Sequence, residues 1–501
     1  MFRGLIFSVM HEPVQRSAGS HRIATHLRRE GWNIEVIDFA AWWSVDELKE
    51  LVKSRISSST KFFGFSTFCN KWTDDLSAFT RWLKETYPNI PTILGGQSVA
   101  LTPASNIDYW VDSFGEVAIV ELLKYLTTNS TTSPVFDVEH FGSKKLIKSI
   151  HAYPAYPMQS YSNVMERRDF LQPYEWVNIE LSRGCVFSCN FCNFPILGIK
   201  GDYSRTADDF DFEMRHNYDN FGIQNYYIAD ETFNDSPAKI RKFANVAEQL
   251  PFRPYFSGFL RADLLTAKPD TWDDLIRLGV GGHCYGIETF NHKSAKMISK
   301  GMHPDKLKQG LLDIKQYFGS RMFYRGSASF IIGLPYETPE TFAETEKWLD
   351  ANWQDQGLIS FPLSIDDLSG AKRHNYTNVS KLSLTLVEHG IREMTTAEKT
   401  RWGDFDYIYN WRDGDYYKDL YMWEHDGMNI FQARKIADTL HRKQILKYKA
   451  NCWQLSHLMF NAAEKIDLHT VAHLSNVQAH KNPQRVEAFL RQYIDSKLNW
   501  A

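Results

Sequence analysis

The stretch Val177-Asn-Ile-Glu-Leu-Ser-Arg-Gly-Cys185-Val-Phe-Ser-Cys189-Asn-Phe-Cys192 decides the reading of this chain. Val177 to Leu181 reads as a short strand, and Ser182-Arg183-Gly184 leads from it into a loop that carries three cysteines. A loop of this length turns all three sulfurs of a CxxxCxxC run inward, onto three corners of a cubane. A four-iron cluster normally takes four cysteines, so three leave one iron open to a substrate or cofactor. A structural zinc site is the rival reading, but it wants four ligands in two separated pairs. The remaining Cys69, Cys284 and Cys452 are isolated.

Outward from the cysteines, strands and helices alternate. Downstream strands are expected at Asn225 to Ala229, Tyr255 to Phe259, His283 to Ile287, Ala328 to Ile332 and Ile359 to Leu363. Ser236-Pro237 and Thr338-Pro339 each set an N-cap before a proline at the first helical position. Six βα units fit a full or partial (β/α) TIM-like barrel, whose chemistry lies at the carboxyl ends of its strands. Upstream, shorter strands at Gly4 to Val9, Asn33 to Ile37, Lys61 to Ser66, Pro91 to Leu94 and Asp108 to Val111 alternate with helices. That alternation predicts a doubly wound, Rossmann-like α/β sheet. The polar run Thr127 to Pro134 marks a boundary. The expected domains are 1–130, a linker over 131–173, the barrel over 174–365 and a C-terminal region over 366–501, aromatic-rich from Trp402 to Trp423 and then mainly helical.

At 501 residues the chain is long enough for two to four domains of about 100–200 residues. Hydrophobic residues at 43% and charged residues at 23% argue against a disordered or collagen-like chain. A net charge of −3 supplies no whole-chain field for a polyanion, so nucleic acid is not implied. No apolar run reaches the length of a membrane span and no secretory signal is evident, so a cytoplasmic protein with reduced thiols is expected.

The CxxxCxxC loop after the first barrel strand, with Phe191 before its last cysteine, resembles the radical S-adenosylmethionine (radical SAM) superfamily. The resemblance implies that Cys185, Cys189 and Cys192 hold a 4Fe–4S cluster. It also implies that S-adenosylmethionine chelates the open iron and is split by one electron into methionine and a 5′-deoxyadenosyl radical. Further segments resemble the family in order. Tyr227 to Asn234, with Asp230 and Glu231, matches the rim that helps bind the methionine moiety, where many members have Gly-Gly-Glu. Arg261-Ala-Asp263-Leu264 ends strand three, Gly286-Ile287-Glu288-Thr289 ends strand four, and Phe330 to Thr338, with Gly333, resembles the adenine-contacting segment of strand five. Rim carboxylates such as Glu231 and Glu288 suit an ammonium or ribose hydroxyls, and Arg261 suits a carboxylate.

Ser66-Thr67, Gly95-Gly96-Gln97 and Gly115-Glu116 end strands three, four and five of the first sheet, where glycine lets a backbone approach a large flat ligand. With a radical SAM barrel behind it, this sheet resembles the cobalamin-binding domain of the cobalamin-dependent branch. The Asp-x-His-x-x-Gly motif for a cobalt-bound histidine is missing; Val9-Met10-His11-Glu12-Pro13-Val14 stands in its place. Cobalamin with its lower base displaced and no histidine ligand is therefore expected. The resemblance implies a methyltransferase that moves a methyl group from methylcobalamin to an unactivated carbon. Two rivals remain: the same cofactors used to close a ring, oxidise or rearrange carbon, and a cobalamin or redox sensor with a structural cluster. Partners are a small-molecule or peptide substrate and a reductant such as flavodoxin or ferredoxin.

Overall fold

In the computed structural model, residues 1–9, 16–67, 72–96, 102, 104–112, 114–128, 136–149, 162–192, 203–365, 380–402, 421–446 and 483–500 are described. The chain divides into two compact units, Met1–Glu180 with Arg205–Asn225 and Pro483–Ala501, and Leu181–Ser204 with Tyr226–Asn482. His11, Cys69, Gln97, Cys452 and the aromatic residues between 403 and 420 lie outside the described residues.

The first unit is built on a seven-stranded sheet in the order β2-β1-β3-β4-β5-β7-β6. Its strands are β1 (Arg3–Ser8), β2 (Asn33–Ile37), β3 (Thr60–Ser66), β4 (Thr92–Gly96), β5 (Tyr109–Asp112), β6 (Phe136–Phe141) and β7 (Lys144–Ser149). The first five are parallel. They alternate with α1 (Ala18–Arg29), α2 (Val45–Arg55), α3 (Asp74–Thr86) and α4 (Glu116–Thr128). Helices on both faces bury nearly every strand residue, so Leu5, Phe7, Phe63 and Leu94 are fully enclosed. The 2-1-3-4-5 order has its topological switch between β1 and β3, where such sheets take ligands. The span 131–173, read as a linker, contributes the antiparallel hairpin β6–β7. Its lysines and Gly142 turn carry little apolar signal, as suits a sheet edge.

The helix Pro483–Asn499 packs with this first unit although it is the end of the chain. Buried polar groups explain why. Arg16 donates from Nε and Nη2 to Glu175 at 2.7 and 2.9 Å and from Nη1 to Asp38 at 2.7 Å. The guanidinium packs against the rings of both Phe39 and Tyr493, and the Tyr493 hydroxyl accepts from the Asp38 N–H. Burial opposes it, but His21 and Arg16 hold the Asp38 carboxyl well below the usual carboxylate range. Lys497, also enclosed, donates to the Val36 carbonyl at 2.7 Å. Arg16→Met would leave two buried carboxylates short of their counter-charge, at a cost of about 3–5 kcal/mol. Chemical denaturation should show that loss, with Lys497→Met giving a smaller one.

The second sheet has six strands in chain order: Trp176–Ile179, Asn225–Ile228, Tyr255–Leu260, Val280–Glu288, Arg325–Ile332 and Gly357–Pro362. The pairings from the third strand onward are parallel, and the order is linear, giving a partial barrel. Ser236 and Thr338 cap their helices as expected, accepting from the N–H groups of Lys239 and Thr341 with proline at the first turn. A three-stranded sheet of Arg392–Glu393, Trp423–His425 and Met428–Asn429 was not expected from the sequence. No described helix is long and apolar enough to cross a membrane.

His283 on the fourth strand points at the surrounding helices and is fully buried. Its Nε2 lies 2.9 Å from the Val280 carbonyl, which can only accept, so Nε2 carries the proton. Nδ1 is then left to accept from the Tyr285 hydroxyl at 2.7 Å, which lies 3.0 Å from that of Tyr324. Burial pushes this imidazole down to about 4 from an ordinary value of 6.5. Between those values the unfolded chain binds a proton that the folded ring refuses, so stability falls as pH drops through that window and is constant above it. The expected loss is about 3 kcal/mol. Melting curves of wild type and His283→Phe across that window should differ in slope.

Candidate active site

The cysteine loop leaves the first barrel strand through a short pairing of Ser182–Arg183 with Tyr203–Ser204 and a left-handed Gly184 at φ 95°. Its entry is fixed from beneath. Asp230 accepts the Leu181 N–H at 2.8 Å and the Ser182 hydroxyl at 2.6 Å. Lys239 donates to Ser182 Oγ at 3.0 Å and to the Thr232 carbonyl at 3.3 Å. Both side chains are nearly fully buried. Burial raises the Asp230 carboxyl to about 6 despite Lys239 and its hydrogen bonds. Asp230, a sequence candidate for cofactor binding, therefore spends its oxygens on the loop, and the exposed neighbour Glu231 is the carboxylate at the end of that strand.

The loop's far side is tied by Asn190, whose N–H and side chain reach the carbonyls of Ile298 and Met297, while its carbonyl accepts from Leu382 N–H. Cys185, Cys189 and Cys192 are unoxidised thiols of intermediate exposure, as is Phe191. The Cys185 sulfur lies 3.5 Å from Thr232 Oγ1. That of Cys189 accepts from Arg261 Nη1 at 3.6 Å. Among the described residues no three Cys, His, Asp or Glu converge on a point where one ion could sit.

Arg261 and Glu288 end strands three and four. The Asn234 side chain pairs with both backbone groups of Arg261, at 2.8 and 3.0 Å, joining the ends of strands two and three. Glu288 is buried and holds φ at 68°, a conformation rare outside glycine. Burial raises its carboxyl although Lys300 stands 3.6 Å away. A Cβ on Gly286 would come within 2.5 Å of Glu288 Oε1, so that carboxylate would have to shift. Gly333 has φ 92°, and a Cβ on it would overlap the Trp423 indole. Glu337, which sequence reasoning passed over, accepts from the N–H groups of Gly333 and Leu334 at 2.9 and 3.1 Å and from Thr289 Oγ1 at 2.5 Å. It thereby binds strand four to strand five. Its only advance signal was its place in the Gly333 segment.

In the first unit, Ser8 Oγ and Thr67 Oγ1 end β1 and β3, at the switch point. Both are buried and lack a hydrogen-bond partner among the described residues. Gly95 and Gly96 differ in purpose. A Cβ on Gly96 would lie 1.8 Å from the Thr67 carbonyl oxygen, so the fold itself requires that glycine. A Cβ on Gly95 would meet nothing nearer than 3.8 Å among the described residues, so their packing does not require that glycine. Gly115 packs on Val111 and Ile23, and Glu116, at the start of α4, is buried. Ser66 is half-buried beside Thr67. Unsatisfied hydroxyls beside a bare backbone fit a broad, amide-bearing ligand such as a corrinoid.

This pairing of a doubly wound sheet with a three-cysteine partial barrel defines a class. Residues 179–349 match the model of the radical SAM superfamily, and that segment is a radical SAM domain. The whole chain shares the fold of solved cobalamin-dependent radical SAM enzymes. TsrM from Kitasatospora setae, a radical S-adenosylmethionine methyltransferase solved with cobalamin and a 4Fe–4S cluster, is similar at 13% identity and TM-score 0.60, over 99% of this chain and 100% of that one. TsrM with its tryptophan substrate and the analogue aza-SAM gives 15%, 0.56 and 79% of each chain. OxsB, a cobalamin-dependent S-adenosylmethionine radical enzyme with aqua-cobalamin and S-adenosylmethionine bound, gives 13% and 0.59, over 99% of this chain and 72% of that one. No curated protein matches the sequence.

Proposed function

We propose that the chain is a cobalamin-dependent radical SAM enzyme that methylates an unactivated carbon. The observation that carries this is the three-thiol loop on a buried Asp230–Lys239 base, in a chain whose first sheet sets Gly95 beside strand ends whose Ser8 and Thr67 hydroxyls lack a partner among the described residues. Cys185, Cys189 and Cys192 would hold the cluster; Glu231 and Glu288 would meet the amino group or ribose of S-adenosylmethionine. Ser8, Thr67 and Gly95 would receive the corrin. When bound, the cluster supplies the electron that splits S-adenosylmethionine, and cobalamin supplies the methyl group. The protein's own part is to hold the cluster loop rigid from beneath and to present the rim acids from fixed strand ends.

Anaerobic purification with iron and cobalt analysis and a visible spectrum tests both cofactors. Both metals are expected after reconstitution; iron without cobalt would remove the methyl carrier from the account. A second reading keeps the same cofactors but closes a ring, oxidises or rearranges carbon. Products separate the two. Methylation yields S-adenosylhomocysteine together with 5′-deoxyadenosine, whereas the other chemistries need not yield the former.

A further inference from the structure

We infer that Arg261 sets the reduction potential of the cluster by donating a hydrogen bond to the Cys189 sulfur. This rests on the reading that the three cysteines hold that cluster. The guanidinium is held on every side. Nε and Nη2 on one edge pair with the two Asp263 oxygens at 3.0 and 2.5 Å, the ring of Phe187 lies 3.9 Å from its centre, and Nη1 on the other edge points to Cys189 Sγ at 3.6 Å. Arg261 is largely buried, so water does not screen this contact. A guanidinium committed in this way is not free to clamp a carboxylate, the role that its position at a strand end first indicated. Phe187 belongs to the loop itself, between Cys185 and Cys189, so the arginine grips the segment that bears the ligand.

The Cys185 sulfur has a different neighbour. Thr232 Oγ1 donates its proton to the Glu231 carbonyl at 2.7 Å and is neutral. Reduction adds negative charge to the cluster and its thiolates. A charged N–H donor on a ligand sulfur stabilises that extra charge and raises the potential. The planar fork matters, because a lysine can supply the charge but cannot hold Asp263 with one edge and the sulfur with the other.

The test is an EPR-monitored redox titration of the reconstituted full chain, with iron per chain measured on the same samples. Arg261→Gln is expected to keep its iron while its potential falls, shifting the oxidised-to-reduced ratio about tenfold at a fixed poise, or about 59 mV for one electron. Arg261→Lys should fall in between. A loaded Gln or Lys variant at the wild-type potential would overturn the inference while leaving the cluster reading intact. Loss of iron from both would also overturn it, making Arg261 a structural residue. Wild type that takes up no cluster would instead sink the reading beneath it.

Discussion

Alanine at Cys185, Cys189 or Cys192 is expected to abolish cluster retention and with it all reductive cleavage of S-adenosylmethionine, while the fold survives. Each thiol is partly exposed on a loop, and none is in the buried cores, so truncation leaves no large cavity. The loop's anchors, Asp230, Lys239 and Asn190, do not depend on the sulfurs. Circular dichroism and melting temperature should therefore stay within the range of ordinary surface changes, about 0.5 kcal/mol. Iron after anaerobic reconstitution should drop to background. Cys284→Ala is the control, since that thiol is fully buried within the fourth strand; it should keep its iron and lose stability instead. Unchanged iron in the three loop variants would mean that the metal sits elsewhere.

Glu288 should separate stability from activity. A non-glycine residue at φ 68° costs on the order of 1–3 kcal/mol, and burial of its carboxyl adds to that. Both costs are tolerable if the acid meets a cofactor, as proposed above. Asparagine adopts this conformation more readily, and Lys300 keeps its 2.7 Å hydrogen bond to the Gly286 carbonyl in its absence. Glu288→Asn is thus expected to raise the melting temperature slightly while lowering S-adenosylmethionine cleavage ten- to a hundredfold, the worth of a charge-assisted hydrogen bond at about 1.5–3 kcal/mol. Glu288→Gln keeps the strain and should lose activity with a smaller gain in stability than the Asn variant. A fall in both quantities for the Asn variant would make the conformation a need of the fold.

The parallel strands were legible because burial on two faces writes itself as short apolar runs, and the capped helix starts because Ser236-Pro237 and Thr338-Pro339 obey local chemistry. The cysteine loop was legible because its three cysteines fall close together in one short run of sequence. What escaped was whatever depends on distant partners. Nothing local marks Tyr493 and Lys497 as companions of Asp38 and Val36, more than four hundred residues away. The hairpin β6–β7 escaped because an edge needs few apolar residues. At the site, sequence position alone assigned Asp230 to a cofactor and Arg261 to a carboxylate. The direction of each side chain instead turns the first to Leu181 and Ser182 and the second to Cys189. A strand end selects the residues near a mouth but does not say which way they turn.

The most direct measurement is the EPR spectrum of the reduced, reconstituted chain recorded with and without S-adenosylmethionine. If one iron lacks a protein thiolate, the nucleotide binds there and the signal changes shape on its addition. Superimposable spectra at saturating S-adenosylmethionine would contradict an open iron.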